Sequence, residues 1–159
     1  MPARYSRTQI ILHWAVTGLI AVQFLAHDGI EAAWRTYAST GIADPGPGAT
    51  LHIVFGLAVL VLVVWRLALR VTHGAPRRTG GHPLAARAAG IGHWALYGLM
   101  LLVPLSGAAG WFLGAAAAAE AHEVLKTLLL IVILGHLGAT LVHRFWLRDG
   151  VLARMLPGG

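Results

Sequence analysis

His136 lies in the middle of an apolar stretch running from Leu125 to Leu147, and His122 stands fourteen residues before it. At about 1.5 Å and 100° per residue, that step spans about 21 Å and returns to within about 40° of the starting face. One membrane-length helix would therefore present two imidazoles on one side, at two depths. His13 opens one further apolar segment and His52 another. In helices that alternate direction, His13 and His136 share one leaflet, and His52 and His122 share the other. Imidazole rarely enters hydrocarbon without a task, and two stacked pairs suit two irons, each gripped by two histidines. Bis-imidazole ligation leaves iron no open position, which favours electron transfer over oxygen binding.

The elements that must position these groups are legible in the composition. The chain has 159 residues, 57% of them hydrophobic and 11% charged, with a mean hydropathy of +0.70. That balance lies far from a soluble domain's. Four runs, at about 10–26, 51–69, 88–112 and 125–147, each suffice to cross a hydrocarbon core of about 30 Å. Backbone in hydrocarbon must satisfy its own hydrogen bonds, so the expected fold is all-α, an integral membrane four-helix bundle forming a single domain over 1–159.

The net charge of +6 invites a nucleic-acid reading, which its distribution opposes. Arg4 and Arg7 precede the first run. Arg66, Arg70, Arg77, Arg78 and Arg87 flank the connection between the second and third, and Arg144, Arg148 and Arg154 follow the fourth. The opposite side holds Arg35 and Lys126 with Asp28, Glu31, Asp44, Glu120 and Glu123. By the positive-inside rule both termini are expected in the cytoplasm, with anionic lipid as a neighbour and no nucleic acid. The first run resembles a signal peptide but is long, holds His13 and Trp14, and lacks a clear small-residue cleavage site, so it reads as a retained helix. No cysteine is present, which excludes disulfides, iron–sulfur ligation and covalent c-type haem attachment.

Between the runs, Asp44-Pro45-Gly46-Pro47-Gly48 predicts irregular structure, with a short interfacial helix around Ile30–Tyr37. Residues 71–85 predict a polar, basic loop in which His73 and His82 are solvated. Pro104 and Gly107 predict a kink in the third run. Gly18, Gly56, Gly135 and Gly138 would let a macrocycle, or simply another helix, approach the backbone.

The remaining histidines leave alternatives open. His27 lies fourteen residues after His13, so the first and last runs could by themselves supply both pairs, although Asp28 beside it marks a wet membrane edge. Spacing does not decide between His27 and His52. Arg66 repeats the fourteen-residue step from His52 and suits a haem propionate as well as a positive-inside role. His93 and His143 fall in the cytoplasmic half, where either could hydrogen-bond a quinone carbonyl and assist its protonation.

Tyr5-Ser6-Arg7, Gln9-Ile10 and His13-Trp14 resemble the opening of bacterial cytochrome b561 proteins. The resemblance continues through His52 with Gly56, Arg66 with Arg70, Gly92-His93, Tyr97 and Pro104. It ends on His122-Glu123, His136, His143 and the tail from Asp149 to Met155, covering nearly the whole chain in order. It implies two b-type haems ligated by His13, His52, His122 and His136, favouring His52 over His27. It also implies a membrane quinone such as ubiquinone as acceptor, and admits periplasmic superoxide as donor, which would make the protein a superoxide:ubiquinone oxidoreductase. Five acids facing Arg35 and Lys126 repel an anion rather than draw it in. The runner-up is a cytochrome subunit or relay for a larger dehydrogenase or periplasmic partner, without catalysis of its own. Direct metal-ion transport through the histidines is a third reading, and the sequence lacks the intramembrane acids that ion coupling uses.

Overall fold

The computed structural model describes residues 5–74, 76, 83–150 and 152–156. Among these residues five α-helices follow one another: α1 (Arg7–Leu25), α2 (Asp28–Thr40), α3 (Gly46–His73), α4 (Pro83–Leu113) and α5 (Ala116–Leu141). A π-helical turn over Val142–Leu147 extends α5, and a 3₁₀ turn covers Leu152–Met155. Among the described residues four segments are long and apolar enough to cross a membrane: Arg7–Leu25, Gly46–His73, Leu84–Leu113 and Ala116–Leu147. The architecture is all-helical, as the composition predicts.

The start of α3 differs from expectation. Where the turn cluster predicts irregular chain, the helix α3 begins at Gly46, with Pro45 at its N-cap and Pro47 within its first two positions. Proline there loses nothing, because the first helical N–H groups have no intrahelical partner. The segment before it forms the thirteen-residue helix α2, closed by Gly41 in the left-handed region. Gly29 and Gly48 let α2 and α3 touch backbone to backbone. A Cβ on Gly29 would stand 2.8 Å from the Gly48 Cα. His73, expected in a loop, is the last residue of α3, and residues 75 and 77–82 of the 71–85 stretch, with His82 among them, lie outside the described residues.

Capping fixes where α1 starts. Ser6 Oγ accepts from Gln9 N–H at 3.2 Å, while Ser6 N–H donates to Gln9 Oε1 at 2.9 Å. Gln9 is buried, and its Nε2 donates to the Gly74 carbonyl at 3.2 Å, tying the start of α1 to the end of α3.

Packing runs in two pairs, α1 on α3 and α4 on α5, joined by α3 against α4. Along its backbone α5 scarcely approaches α1 or α3, so the helix bearing His122 and His136 stands off from those bearing His13 and His52. A core of Val16, Val59, Val63, Tyr97, Met100 and Leu129 fills the middle of the bundle. Outward, Leu25, Val61, Ile91, Leu113 and Ile131 are exposed on several helices. Apolar surface on this scale suits lipid as solvent, not water.

Candidate functional site

Two histidine levels lie along the bundle. At one, α3 supplies His52 and α5 supplies His122, with ring centroids 6.4 Å apart. Their surroundings are fixed by backbone. His122 Nδ1 lies 2.8 Å from the Val103 carbonyl; a carbonyl only accepts, so Nδ1 carries the proton and Nε2 keeps its lone pair. Ser106 Oγ donates to the same carbonyl at 2.9 Å. The ring rests on Gly107, where a Cβ would stand 2.9 Å from the imidazole. On the facing side, Gln23 Nε2 donates to the His52 carbonyl at 2.9 Å, across Gly56, whose own Cβ would stand 3.1 Å from that nitrogen.

A cavity of about 650 Å³ opens at this level, within the range of cofactor pockets. His52, His122, Gly56 and Gly107 line it together with Met100, Val103 and Trp111. His52 Nδ1 is buried with no hydrogen-bond partner, a polar demand that the surrounding protein leaves unmet. Two metal–imidazole bonds of about 2 Å, with a ring half-width at each end, place centroids roughly 6 Å apart. The donor set, spacing, glycine cradle and apolar walls all fit a bis-histidine haem.

The other level is closed. Arg66 Nη1 reaches His13 Nδ1 at 2.7 Å, and its guanidinium lies 5.8 Å from the Tyr97 ring centroid. Arginine only donates, so a neutral His13 held this way carries its proton on Nε2. Binding iron through Nε2 requires Arg66 to release Nδ1. The ring beside His136 is His93, at 5.4 Å between centroids. His93 Nδ1–H donates to the Ala89 carbonyl at 2.6 Å. His13, His136 and His93 remain electrostatic neighbours. A pocket of only about 20 Å³ is found here, between Tyr5, Gln9, Arg66, Arg70, His93 and Met155.

Two further candidates lie at the ends. His27 lines the mouth of the outer cavity, its nitrogens 3.5 Å from Asp28 and 3.4 Å from Glu31. His143 sits in the π-helical turn with Nδ1 2.5 Å from Asp149 Oδ2. Three features escape sequence reading: the Val103 carbonyl that orients His122, the support from Gly107, and the aromatic contacts of Tyr37 with Trp34 and Trp111 beside the cavity. Gly107 carries a sequence signal only as a kink partner of Pro104.

The family model for prokaryotic cytochrome b561 matches residues 4–158. A protein named cytochrome b562 from Cereibacter sphaeroides is 36% identical, over 96% of this chain and 94% of its own length. A probable superoxide oxidase CybB from Yersinia pestis is 25% identical, over 99% of this chain and 98% of its own. Cytochrome b561 homolog 1 of Escherichia coli is 28% identical, over 97% of each. With four membrane-length helices and a match over almost the entire sequence, this chain belongs to the prokaryotic cytochrome b561 family of multi-pass, haem-b electron-transfer proteins.

Proposed function

We propose that the protein moves electrons across the bacterial inner membrane through two b-type haems, one held by His52 and His122 and one by His13 and His136, and delivers them to a membrane quinone. Bound haem supplies reversible one-electron redox chemistry at its iron, with a potential set by ligands, charge and burial. The single observation that carries the reading is the outer level: two imidazoles 6.4 Å apart across a 650 Å³ apolar cavity.

The chain's own groups do the rest. Val103 fixes the tautomer of His122, as ligating histidines usually require of a neighbouring acceptor. The outer level lies on the side of the Gly114 turn and the inner level on the side of the basic ends, so both termini face the cytoplasm in this reading. At that face, His93 and the His143–Asp149 pair offer imidazoles for a quinone carbonyl and for the protons that quinone reduction takes up.

The donor enters from the outside. One relative is named a probable superoxide oxidase. At this chain's cavity mouth Arg35 pairs with Glu31 at 3.4 Å and Lys126 with Glu123 at 2.6 Å, and Asp28 adds an exposed negative charge. These pairs cancel the cations that would steer an anion inward. That observation favours the second reading, a relay for a periplasmic redox partner, over direct oxidation of superoxide.

An optical spectrum of the purified protein, oxidised and dithionite-reduced, with haem content per chain, tests the proposal. Sharp low-spin bands and two haems b per chain are expected. A colourless protein from haem-replete cells overturns it.

A further inference from the structure

We infer that Lys126 anchors the carboxylate edge of a haem in the outer cavity, released to that role by Glu123, with Arg35 as a weaker second cation at the rim. The inference rests on the outer half of the reading above and asks nothing of the inner level.

The cavity walls are mostly apolar, and their charged side chains stand in two pairs, Glu31 with Arg35 on α2 and Glu123 with Lys126 on α5. Among the lining residues, Arg35 and Lys126 carry the fixed positive charge. Lys126 follows His122 by four residues, so it shares that imidazole's face of α5 one turn further along. Lys126 and Glu123 are electrostatic neighbours of both His52 and His122, which places the pair beside both imidazoles of the site.

The members of each pair are unequally sheltered. The Lys126 side chain is 26% exposed and that of Glu123 63%, so the cation is the protected member and the acid the wet one. In the other pair the order reverses, with Arg35 70% exposed and Glu31 49%.

Haem ends in two carboxylates on one edge of a flat apolar ring. The ring suits the apolar walls, whereas a carboxylate brought among them without a partner is strongly disfavoured. An ion pair open to water contributes little, because water competes for both of its groups. Exchanging Glu123 for a haem carboxylate therefore costs Lys126 little and gives that carboxylate a charge-assisted hydrogen bond. Glu123, already mostly exposed, is hydrated where it stands. Arg35 makes the same exchange with Glu31 from a wetter position, so its share is smaller.

Transfer of haem from the loaded protein to an excess of apomyoglobin tests this, with the phase absent from His52→Ala identifying the outer site. Lys126→Gln should speed release from that site about tenfold, the loss of one hydrogen bond to a charged group. Lys126→Arg should hold the rate, and Arg35→Gln should raise it about twofold. Glu123→Gln should leave release unchanged or slower, since the lysine is then free for haem. Release that Lys126→Gln leaves unmoved overturns the inference. Equal acceleration by Glu123→Gln overturns it too, because the ion pair itself would then be what holds the site. Haem dimethyl ester gives a second measurement on the unmodified chain, and decides the matter if Lys126→Gln does not fold. Lacking carboxylates, the ester should leave the outer site about tenfold faster than haem. An ester that leaves no faster than haem overturns the inference. If His52→Ala removes no phase at all, the outer-haem reading itself falls, a result distinct from haem that binds there and ignores Lys126.

Discussion

The outer and inner histidine levels use the same residue type at the same helical spacing, yet they are built in different ways. At the outer level backbone does the work: the Val103 carbonyl orients His122, Gly107 supports its ring, and Gln23 holds the His52 carbonyl. The result is an open cavity with its two imidazoles already held in place. At the inner level long side chains do the work, with Arg66 on His13 and Tyr97, and the space is filled. A site set by backbone stands ready for its ligand, whereas one set by a mobile cation must rearrange to admit it.

The comparison breaks most readily at the ligands. His52→Ala should remove the outer haem, about half the haem content per chain, and leave the inner low-spin spectrum intact. His27→Ala should leave both haems, because its nitrogens face Asp28 and Glu31 at the exposed mouth. Haem content by pyridine haemochrome reads both variants. If His27→Ala removes a haem while His52→Ala removes none, the outer level is ligated from the N-cap of α2 and from α5, and the role given to α3 is wrong.

A subtler change tests whether backbone support matters. Gly107→Ala places a methyl 2.9 Å from the His122 ring, and that ring cannot retreat without losing the Val103 carbonyl. Loss of an orienting partner typically costs 10- to 100-fold in affinity for the group held, roughly the effect expected at the outer site alone. Haem titration of the stripped protein would show it, and equal weakening at both levels would refute the idea of separately built sites.

What could be read from the sequence follows the reach of local periodicity. The fourteen-residue steps place His122 and His136 on one face because helix geometry is the same in any context. Four membrane spans follow from hydropathy for the same reason. Contacts between helices are not periodic: nothing local says that Gly107 on α4 meets His122 on α5, or that Arg66 turns to His13 rather than to solvent. The Gly–Pro cluster misleads over Gly46–Gly48 because proline breaks a helix only where an N–H is needed, and the first turn needs none. The helix α2 covers the short helix that the sequence places around Ile30–Tyr37 and runs beyond it at both ends, to Asp28 and Thr40.

That outer helix gives a test of stability rather than of chemistry. Gly29→Ala would bring a methyl to 2.8 Å from the Gly48 Cα, and neither backbone is free to yield. Overpacking of this kind costs about 1–3 kcal/mol. The midpoint of thermal unfolding should fall, with earlier loss of the outer haem than of the inner, since α2 flanks the outer cavity through Trp34. Unchanged unfolding would mean that α2 is held by its aromatic contacts and not by the glycine approach.

The smallest expected effect sharpens the inner side. Trp14 Nε1 donates to the Met155 carbonyl at 2.7 Å, pinning the C-terminal turn to α1, and Met155 closes the small pocket that holds Arg66. Trp14→Phe keeps the ring's bulk and removes the donor, at about 0.5–1.5 kcal/mol. That is too little to unfold a bundle but enough to shift the docking of a four-residue turn several-fold. Tryptic cleavage after Arg154 should quicken by a similar factor, and the outer haem should not respond. If the cleavage rate is unchanged, the turn is held by its apolar contacts, and access to Arg66 is governed by the side chain's own motion rather than by the tail.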